Sequence, residues 1–231
     1  MRAYVLCGGF GTRLRSVTGD SQKALVPIHG EPFLVHVLRQ LVVAGITEAV
    51  LCAHYRADQV ANQLEDLSRA SGLPLRMVVE PEPLGTGGAL LNALRESPPE
   101  NRYLVLNADT FLDPEAYRLA ATAAGDVLVA VRVEDRARYG SLETDTQGRL
   151  VALREKGQHG PGLVNAGVYA FTPMAFANAE VNVCSMEQDL LPALVLGEGV
   201  AVLEYTDRFI DIGTPESFEH YLNNSYGGAT Q

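Results

Sequence analysis

A glycine-rich segment near the amino terminus combines residue types that bind phosphate. Directly after the apolar run 3–6 come three glycines, a threonine and an arginine: Gly8, Gly9, Gly11, Thr12 and Arg13. Glycines let backbone N–H groups approach an anion closely, and a guanidinium donates paired hydrogen bonds to phosphate oxygens. Lys23, ten residues after Arg13, adds a second cation. The segment predicts a polyphosphate-binding loop, with an ordinary glycine-rich turn as the alternative.

Two better-known phosphate loops do not fit this spacing. A dinucleotide fingerprint needs a third glycine where this chain has Leu14. A P-loop needs a lysine directly after its last glycine, and none of the loop glycines is followed by one. The spacing therefore disfavours a dinucleotide oxidoreductase and excludes a P-loop protein.

Two aspartates are candidates for holding a metal ion. Asp109 follows the apolar run 103–107, and Asp211 follows Phe209 and Ile210. Each carboxylate is expected where a buried strand meets a loop. Two carboxylates with room for water and phosphate oxygens suit Mg²⁺. The alternative for each is a turn aspartate or a helix N-cap.

The first half of the chain alternates strand and helix patterns. We predict strands at 3–6, 49–53, 75–79 and 103–107, and helices at 32–44, 57–70, 86–96 and 113–124. This alternation predicts an α/β fold with a mostly parallel, twisted, Rossmann-like sheet flanked by helices. Ligands of such folds bind at the carboxyl ends of the strands, where the glycine loop and Asp109 are expected.

The second half is richer in strands separated by turns. We predict strands at 126–133, 140–144, 149–154, 164–171 and 200–205, and helices at 186–195 and from 215 to about 221. These strands are expected to form β-ribbons that extend the sheet and cover one side of the cleft. No repeat or linker interrupts the chain, which predicts a single domain over residues 1–231.

Composition narrows the function classes. The net charge of −10 argues against nucleic acid or an anionic membrane as the main partner. No apolar run approaches the ~18 residues of a membrane span, and the amino terminus leads straight into a strand, so we expect no signal peptide. The three cysteines stand in apolar segments and are expected to be reduced core residues of a cytoplasmic protein. A nucleophilic Cys7 is disfavoured because no histidine is recognisably paired with it, and the five histidines are interpreted as surface or core residues.

Eight motifs in order resemble the sugar-1-phosphate nucleotidyltransferase family over nearly the whole chain. They are the segment 8–14, Lys23 with Pro27, the segment 82–88, Asn107-Ala108-Asp109, Tyr139-Gly140, Glu155-Lys156, Asn165-Ala166-Gly167 and Asp211-Ile212-Gly213. Within the family, the chain most resembles the D-glycero-D-manno-heptose 1-phosphate guanylyltransferases. Segments 82–88, 134–135, 138–141 and 185–189 carry that closer match.

The resemblance implies the family's nucleotide-diphospho-sugar transferase fold, a nucleotide-binding half at about 1–125 and a sugar-binding half at about 126–231. It implies nucleotide contacts from Leu6, Gly8, Gly9, Gly11, Thr12, Glu80, Gly85, Thr86 and Asp109. Arg13 would act on the phosphates, and Lys23 would neutralise charge around the α-phosphate. These two are the implied catalytic residues.

The same resemblance implies the second substrate, the cofactor and the assembly. Sugar 1-phosphate would be bound by Tyr139, Gly140, Glu155, Lys156 and Asn165, while Asp109 and Asp211 would hold Mg²⁺. Glu187 either joins the sugar site or lies on a helix surface. The implied partners are a nucleoside triphosphate and a sugar 1-phosphate, and homologues often form homo-oligomers.

Two departures from the family pattern lie near the implied site. Gln22 and Ala24 flank Lys23 where the family usually has two prolines, and Ala108 stands where it usually has glycine. We expect the first change to loosen the loop that positions Lys23, because proline restricts the backbone. We expect the methyl group of Ala108 to crowd the nucleotide or sugar slightly. Neither change removes a charged group, so activity is expected; a non-catalytic nucleotide-sugar sensor is the alternative.

The choice of nucleobase rests on Glu80, five residues before Gly85. Relatives place a base-reading side chain there, and a carboxylate accepts hydrogen bonds from both N1–H and N2–H₂ of guanine. GTP is therefore favoured, although some uridylyltransferases of the family carry a similar glutamate. The alternatives are a solvated Glu80 at a strand end, or the same reaction with UTP, CTP or dTTP and a hexose, aminosugar or cyclitol phosphate.

Overall fold

A computed structural model of the chain describes residues 1–11, 14 and 19–224, except for the side chain of Asn224. The predicted site residues Thr12 and Arg13 lie outside this described part. In chain order the strands are β1 (Arg2–Leu6), β2 (Pro27–Ile28), β3 (Glu31–Pro32), β4 (Glu48–Ala53), β5 (Leu75–Val79), β6 (Tyr103–Asn107), β7 (Thr110–Leu112), β8 (Val127–Val133), β9 (Ser141–Thr144), β10 (Leu150–Arg154), β11 (Gly162–Phe171), β12 (Ala201–Tyr205) and β13 (Phe209–Asp211). The helices are α1 (Phe33–Val43), α2 (Ala57–Ser71), α3 (Gly85–Glu96), α4 (Pro114–Thr122), α5 (Leu191–Leu196) and α6 (Pro215–Asn224). A 3₁₀ turn occupies Lys23–Leu25, and a π-helical turn, Met186–Leu190, precedes α5.

The main sheet has a parallel part and a largely antiparallel part. In the first, β5, β4, β1 and β6 lie side by side with parallel pairing throughout. In the second, β11 runs antiparallel to β6, β8 and β9, and the ribbon β9–β10 forms the far edge. Strand β12 pairs in parallel with β8. The predicted α/β class is confirmed, with added β-strands in the second half as expected.

The register of the parallel strands brings their carboxyl ends to one edge. Leu6, the last residue of β1, pairs with Cys52 of β4 and with Asn107 of β6. Because the pairing is parallel, the segments that follow these strands leave the sheet on the same side. The glycine loop, the residues after β4 and the Asp109 turn therefore meet there.

Both faces of this sheet are buried. Along β1, Ala3 and Val5 belong to one apolar core and Tyr4 to the other, as the alternation of a strand requires. Helices α1, α2, α4 and α6 cover the first face, whereas α3, the π-helical turn and α5 cover the second. No helix within the described residues is long and apolar enough to cross a membrane.

Two short ribbons were missing from the predicted elements. Strand β13 pairs antiparallel with β7 across almost 100 residues of sequence, and β2 pairs with β3. Segments of two or three residues show no usable periodicity, so only long-range pairing defines them. Asp113 precedes α4 directly, but its side chain makes no capping hydrogen bond to that helix.

Candidate active site

Two adjoining cavities open at the carboxyl edge of the parallel strands. We call the smaller, of about 340 Å³, the loop cavity, and the larger, of about 710 Å³, the ribbon cavity. Both are lined by Gly11, Lys23, Asn107 and Asp109. These four residues therefore mark the boundary where molecules bound in the two cavities would meet.

The loop cavity gathers the predicted nucleotide-binding residues that lie in the described part of the chain. Its lining includes Leu6, Gly8, Gly9, Gly11, Glu80, Gly85, Thr86 and Asp109. They come from the ends of β1, β5 and β6 and from the start of α3. The parallel register explains how four distant segments reach one cavity.

Glu80 is a buried carboxylate at the base of the loop cavity, only 6% exposed. Its Oε2 accepts a hydrogen bond from the backbone N–H of Leu84 at 2.9 Å. Burial raises the pKa of Glu80, and the Leu84 N–H partly opposes that rise by stabilising the charged form. The alternative of a solvated Glu80 is thereby wrong for this structure.

The carboxylate of Glu80 lies directly against Gly8. A Cβ atom at Gly8 would stand 2.5 Å from Glu80 Oε1 and 3.2 Å from the backbone of His54. No described atom lies within 4 Å of a Cβ at Gly9. A side chain would therefore clash at Gly8, whereas there is space for one at Gly9.

The Gly8→Ala substitution is expected to destabilise the unliganded protein by about 1–3 kcal/mol, because it overpacks this contact. The corresponding fall in Tm is about 2–4 °C for each kcal/mol in a chain of this size. Thermal unfolding without substrates measures it, with Gly9→Ala as the matched control expected to keep the wild-type Tm. Equal Tm values for the two variants would contradict the close packing of Gly8.

Lys23 and Asp109 form an ion pair at the boundary between the cavities. Lys23 Nζ lies 2.6 Å from Asp109 Oδ2, and the lysine side chain is only 13% exposed. Gly11 permits this approach because it has a φ of +57° and because its Cα faces Lys23 Cβ, which would lie 3.2 Å from an added Cβ. A primary ammonium is therefore held at the place where the two cavities meet.

Asp211 reaches the same boundary through the β7–β13 ribbon. In this ribbon Asp211 pairs with Thr110, and the N–H of Ile212 donates to the carbonyl of Asp109 at 3.0 Å. Burial, followed by the charge of Asp109, raises the pKa of Asp211, while Lys23 opposes the rise. The two neighbouring carboxylates provide the oxygen ligands that a divalent cation prefers, and the ammonium of Lys23 lies beside them.

The ribbon cavity gathers the predicted sugar-phosphate residues. Tyr139, Gly140, Glu155, Lys156 and Asn165 all line it, together with Asp211. They lie near the ends of β9 and β10 and on β11. The structure therefore brings these five residues together with the boundary pair.

A β-bulge in β11 sets the direction of Asn165. The register of β11 shifts between Asn165 and Val168, and Gly167 has a φ of +70°. A Cβ at Gly167 would lie 2.5 Å from Asn107 Nδ2, so glycine is required by both space and conformation. Asn165 Nδ2 donates to the Tyr169 hydroxyl at 2.7 Å. The bulge thus turns Asn165 into the cavity, as such irregularities often do beside functional sites.

Glu187, for which two positions were open, lies in the ribbon cavity. It belongs to the π-helical turn, a feature frequent at functional sites. Its Oε2 accepts hydrogen bonds from the hydroxyls of Ser185 and Thr86 at 3.2 and 3.3 Å. Thr86 lines the loop cavity, so this carboxylate links the walls of both cavities.

Several lining residues were not singled out by the sequence. His54, Phe10 and Pro83 line the loop cavity, and Ser185, Gln188 and Phe209 line the ribbon cavity. His54, which was interpreted with the other histidines as a surface or core residue, is half-buried in the wall of the loop cavity. Its place directly after β4 is the signal that could have found it, because that strand is parallel to β1 and β6.

Cys7 does not have the properties of a nucleophile. It is buried, and its thiol donates to the carbonyl of Cys52 at 3.2 Å. Burial raises the pKa of Cys7 to about 12, so the thiolate is scarce at neutral pH. The expectation of a structural thiol is confirmed.

The chain is similar to known proteins over nearly its whole length. The chain is 32% identical over 225 residues to the D-glycero-alpha-D-manno-heptose 1-phosphate guanylyltransferase of Campylobacter jejuni, covering 97% of this chain and 100% of that protein. It is 34% identical to the mannose-1-phosphate guanylyltransferase catalytic subunit beta of Drosophila pseudoobscura, covering 94% of this chain but 60% of that protein. The chain therefore spans about three fifths of the latter relative.

Solved structures show the same fold. HddC from Yersinia pseudotuberculosis, complexed with GMP-PN, superposes with a TM-score of 0.84 at 31% identity, covering 97% of this chain and 99% of that one. The inositol-1-phosphate CTP transferase of T. maritima superposes with a TM-score of 0.82 at 19% identity, over 100% and 98% of the two chains, and supports the fold alone. The family model for nucleotidyl transferases matches residues 2–225. The chain is a member of the nucleotidyl transferase family and, as its sequence motifs indicate, an enzyme of the sugar-1-phosphate nucleotidyltransferase type.

Proposed function

We propose that this enzyme transfers GMP from GTP to D-glycero-α-D-manno-heptose 1-phosphate, giving a nucleotide sugar and pyrophosphate. The observation that carries the proposal is the Lys23–Asp109 pair at the boundary of the two cavities. A nucleotide in the loop cavity and a sugar phosphate in the ribbon cavity would place their reacting phosphates beside this pair. The similarity to the heptose 1-phosphate guanylyltransferase of Campylobacter jejuni supports the choice of substrates.

In the proposed reaction, a phosphate oxygen of the sugar attacks the α-phosphorus of the triphosphate. A new P–O bond forms, the bond from the α-phosphorus to the bridging oxygen breaks, and pyrophosphate leaves with that electron pair. The nucleophile is already an anion at neutral pH, so no general base is needed. Catalysis then rests on holding two polyanions in line and stabilising the charge that develops.

Lys23 is the described residue best placed for charge stabilisation. Its ammonium lies at the boundary and is only slightly exposed, so its interaction with a phosphate oxygen is weakly screened. Lys156, which lines the ribbon cavity, is proposed to bind the sugar phosphate. Arg13 keeps its proposed role on the nucleotide phosphates, although it lies outside the described residues.

Asp109 and Asp211 are proposed to hold Mg²⁺. Among the described residues, no group of three or more His, Cys, Asp or Glu side chains is arranged as a metal site. Mg²⁺ commonly takes one or two carboxylates and completes its shell with water and substrate phosphates, which suits this pair. When bound, the ion would neutralise developing negative charge on the phosphates.

Glu80 is proposed to read the guanine base. Its buried carboxylate has an Oε1 that faces the glycine loop, and a guanine edge presents two donors to such a group. Gln at this position would present one acceptor and one donor, which opposes a guanine N–H. Base choice would therefore depend on the carboxylate.

Glu80→Gln is expected to lower kcat/KM with GTP by about 10- to 100-fold, corresponding to the ~1–3 kcal/mol of a lost paired contact to a base. Steady-state pyrophosphate release measures the effect, with UTP, CTP and dTTP tested in parallel. Glu82→Gln is the matched control, because Glu82 is an exposed glutamate two residues away. An unchanged kcat/KM for GTP in Glu80→Gln would remove the proposed base-reading role.

The identity of both substrates is tested by a matrix of assays. Each of the four triphosphates, GTP, UTP, CTP and dTTP, is combined with Mg²⁺ and with heptose, mannose, glucose and aminosugar 1-phosphates, and pyrophosphate release is measured. The proposal expects the highest kcat/KM for GTP with the heptose phosphate. A higher value for another pair would correct the substrates, and no release from any pair would overturn the enzymatic proposal. The cytoplasmic location and the homo-oligomeric state stay predictions, and light scattering would test the second.

A further inference from the structure

Gln22, directly before Lys23 in the chain, has a buried polar side chain with 2% exposure. Burial of an amide is costly unless its donor and acceptor atoms are satisfied. Gln22 also stands directly before the 3₁₀ turn that contains Lys23. Its hydrogen bonds therefore bear on how that lysine is held.

Gln22 makes hydrogen bonds to three different segments through its side-chain Nε2 and Oε1 and its backbone N–H. Its Nε2 donates to the carbonyl of Cys7, the residue between β1 and the glycine loop. Its Oε1 accepts from the N–H of Ala24 at 2.6 Å, and its own backbone N–H donates to Oε1 of Gln59 in α2 at 2.8 Å. One residue thus joins the end of β1, the turn after Lys23 and helix α2.

These bonds supply a restraint at the position where the sequence suggested a looser loop. Gln22 has φ −63° and ψ 131°, a conformation that proline also adopts. Here the backbone is fixed by hydrogen bonds on both sides of Lys23 instead of by a ring. The Cys7 bond also fixes the distance between the lysine turn and the start of the glycine loop.

We propose that Gln22 is a positioning residue for Lys23, which it holds at the boundary of the two cavities. The inference rests on the proposed function, because it assigns Gln22 an effect on transfer through the ammonium of Lys23. Gln22 itself contacts no reacting atom in this scheme. A small displacement of a charged group from its productive position is enough to reduce a rate strongly.

The first test is Gln22→Met, which keeps the side-chain length and removes both hydrogen bonds of the side-chain amide. We expect kcat to fall by about 10- to 100-fold, while the KM for the sugar 1-phosphate changes by less than about threefold, since Lys156 and the other proposed sugar-phosphate residues are unchanged. Asn92→Leu is the matched control: Asn92 is also 2% exposed, and its side chain accepts from Arg95 away from both cavities. The control is expected to lower Tm without lowering kcat.

A double-mutant cycle separates positioning from general destabilisation. If Gln22 acts through Lys23, the double variant Gln22→Met/Lys23→Met has the kcat of Lys23→Met within about threefold, because the second change removes what the first displaces. A structural role without this coupling would multiply the two losses. Multiplied losses, or a wild-type kcat in Gln22→Met, would overturn the proposal.

Gln59→Leu provides a second route if Gln22→Met does not fold. It removes the acceptor of the Gln22 backbone N–H from the side of α2 and leaves the amide in place. A loss of kcat that disappears in the Lys23→Met background is expected here too. The same kcat as wild type in a folded Gln59→Leu, with Gln22→Met unfolded, would count against the proposal.

Binding of GTP distinguishes failure of this inference from failure of the proposed function. Calorimetry without sugar phosphate is expected to show severalfold weaker GTP binding in Gln22→Met, and no further weakening when Lys23→Met is added. If the wild type binds GTP but releases no pyrophosphate with any sugar phosphate, the proposed function fails while this cycle still decides the role of Gln22. Absence of GTP binding in the wild type would overturn both.

Discussion

Lys23→Met is expected to lower kcat for pyrophosphate release by about 100- to 1,000-fold, the cost of removing one preorganised group that stabilises transition-state charge. Methionine keeps most of the side-chain volume, so the packing beneath Gly11 is preserved while the ammonium is lost. The reason for the large effect is position, because Lys23 lines both cavities and is hardly exposed. Steady-state kinetics with saturating GTP and sugar 1-phosphate measure it.

Lys156→Met is the matched comparison for this result. Lys156 lines only the ribbon cavity, so its loss is expected to raise the KM for the sugar 1-phosphate with a smaller effect on kcat. The two lysines of the chain would then show different kinetic signatures. If Lys23→Met kept more than about a tenth of the wild-type kcat, the assignment of Lys23 to the transition state would be wrong.

Lys23→Met is also expected to strengthen one interaction, the binding of a divalent cation. The ammonium of Lys23 lies 2.6 Å from Asp109 Oδ2, where it competes with a divalent cation for that oxygen. Lys23→Met is therefore expected to bind Mn²⁺ more tightly than the wild type in the absence of nucleotide, measured by electron paramagnetic resonance. Weaker Mn²⁺ binding in the variant would contradict this competition.

The sequence predicted the elements whose patterns are local. The apolar runs around Leu6 and Asn107 identify β1 and β6, and the rule that ligands bind at the carboxyl ends of parallel strands places Asp109 beside the glycine loop. Family resemblance then assigned residues such as Glu80 and Asn165 that no local pattern could relate to a ligand. Glu80 lines the loop cavity and Asn165 lines the ribbon cavity, where these assignments require them to lie.

The parts of the site that no local sequence pattern explains depend on contacts between distant segments. Asp211 reaches Asp109 only because β13 pairs with β7, and neither three-residue strand has a periodicity of its own. Glu187 enters the ribbon cavity because the backbone forms a π-helical turn, which residue types alone did not predict. Gln22 was interpreted by what it lacks relative to proline, whereas its hydrogen-bond partners Cys7 and Gln59 are visible only in the fold.

Asp211→Asn is expected to separate activity from stability at the carboxylate pair. We expect kcat to fall by about 100- to 1,000-fold, since loss of a metal-holding carboxylate removes several kcal/mol of charge stabilisation and each ~1.4 kcal/mol is tenfold in rate. The unliganded variant is nevertheless expected to be at least as stable as the wild type at neutral pH. The amide still accepts the hydrogen bond from Gly213 N–H, which the wild-type Oδ1 accepts at 2.6 Å, and the substitution removes a half-buried negative charge next to Asp109.

The pH dependence of this stability difference has a definite sign. Because burial and Asp109 raise the pKa of Asp211 in the folded state, the folded protein binds its proton more tightly than the unfolded chain does. The wild type therefore gains stability relative to Asp211→Asn as the pH falls through the raised pKa, and this relative gain is complete below the ordinary aspartate value. Thermal unfolding without metal, at several pH values from neutral downward, is expected to show that the higher stability of the variant shrinks with acidification.

Addition of Mg²⁺ with GTP should raise the Tm of the wild type more than that of the variant. A variant that is less stable than the wild type at neutral pH would show that the charge of Asp211 stabilises the fold in spite of its half-buried position beside Asp109.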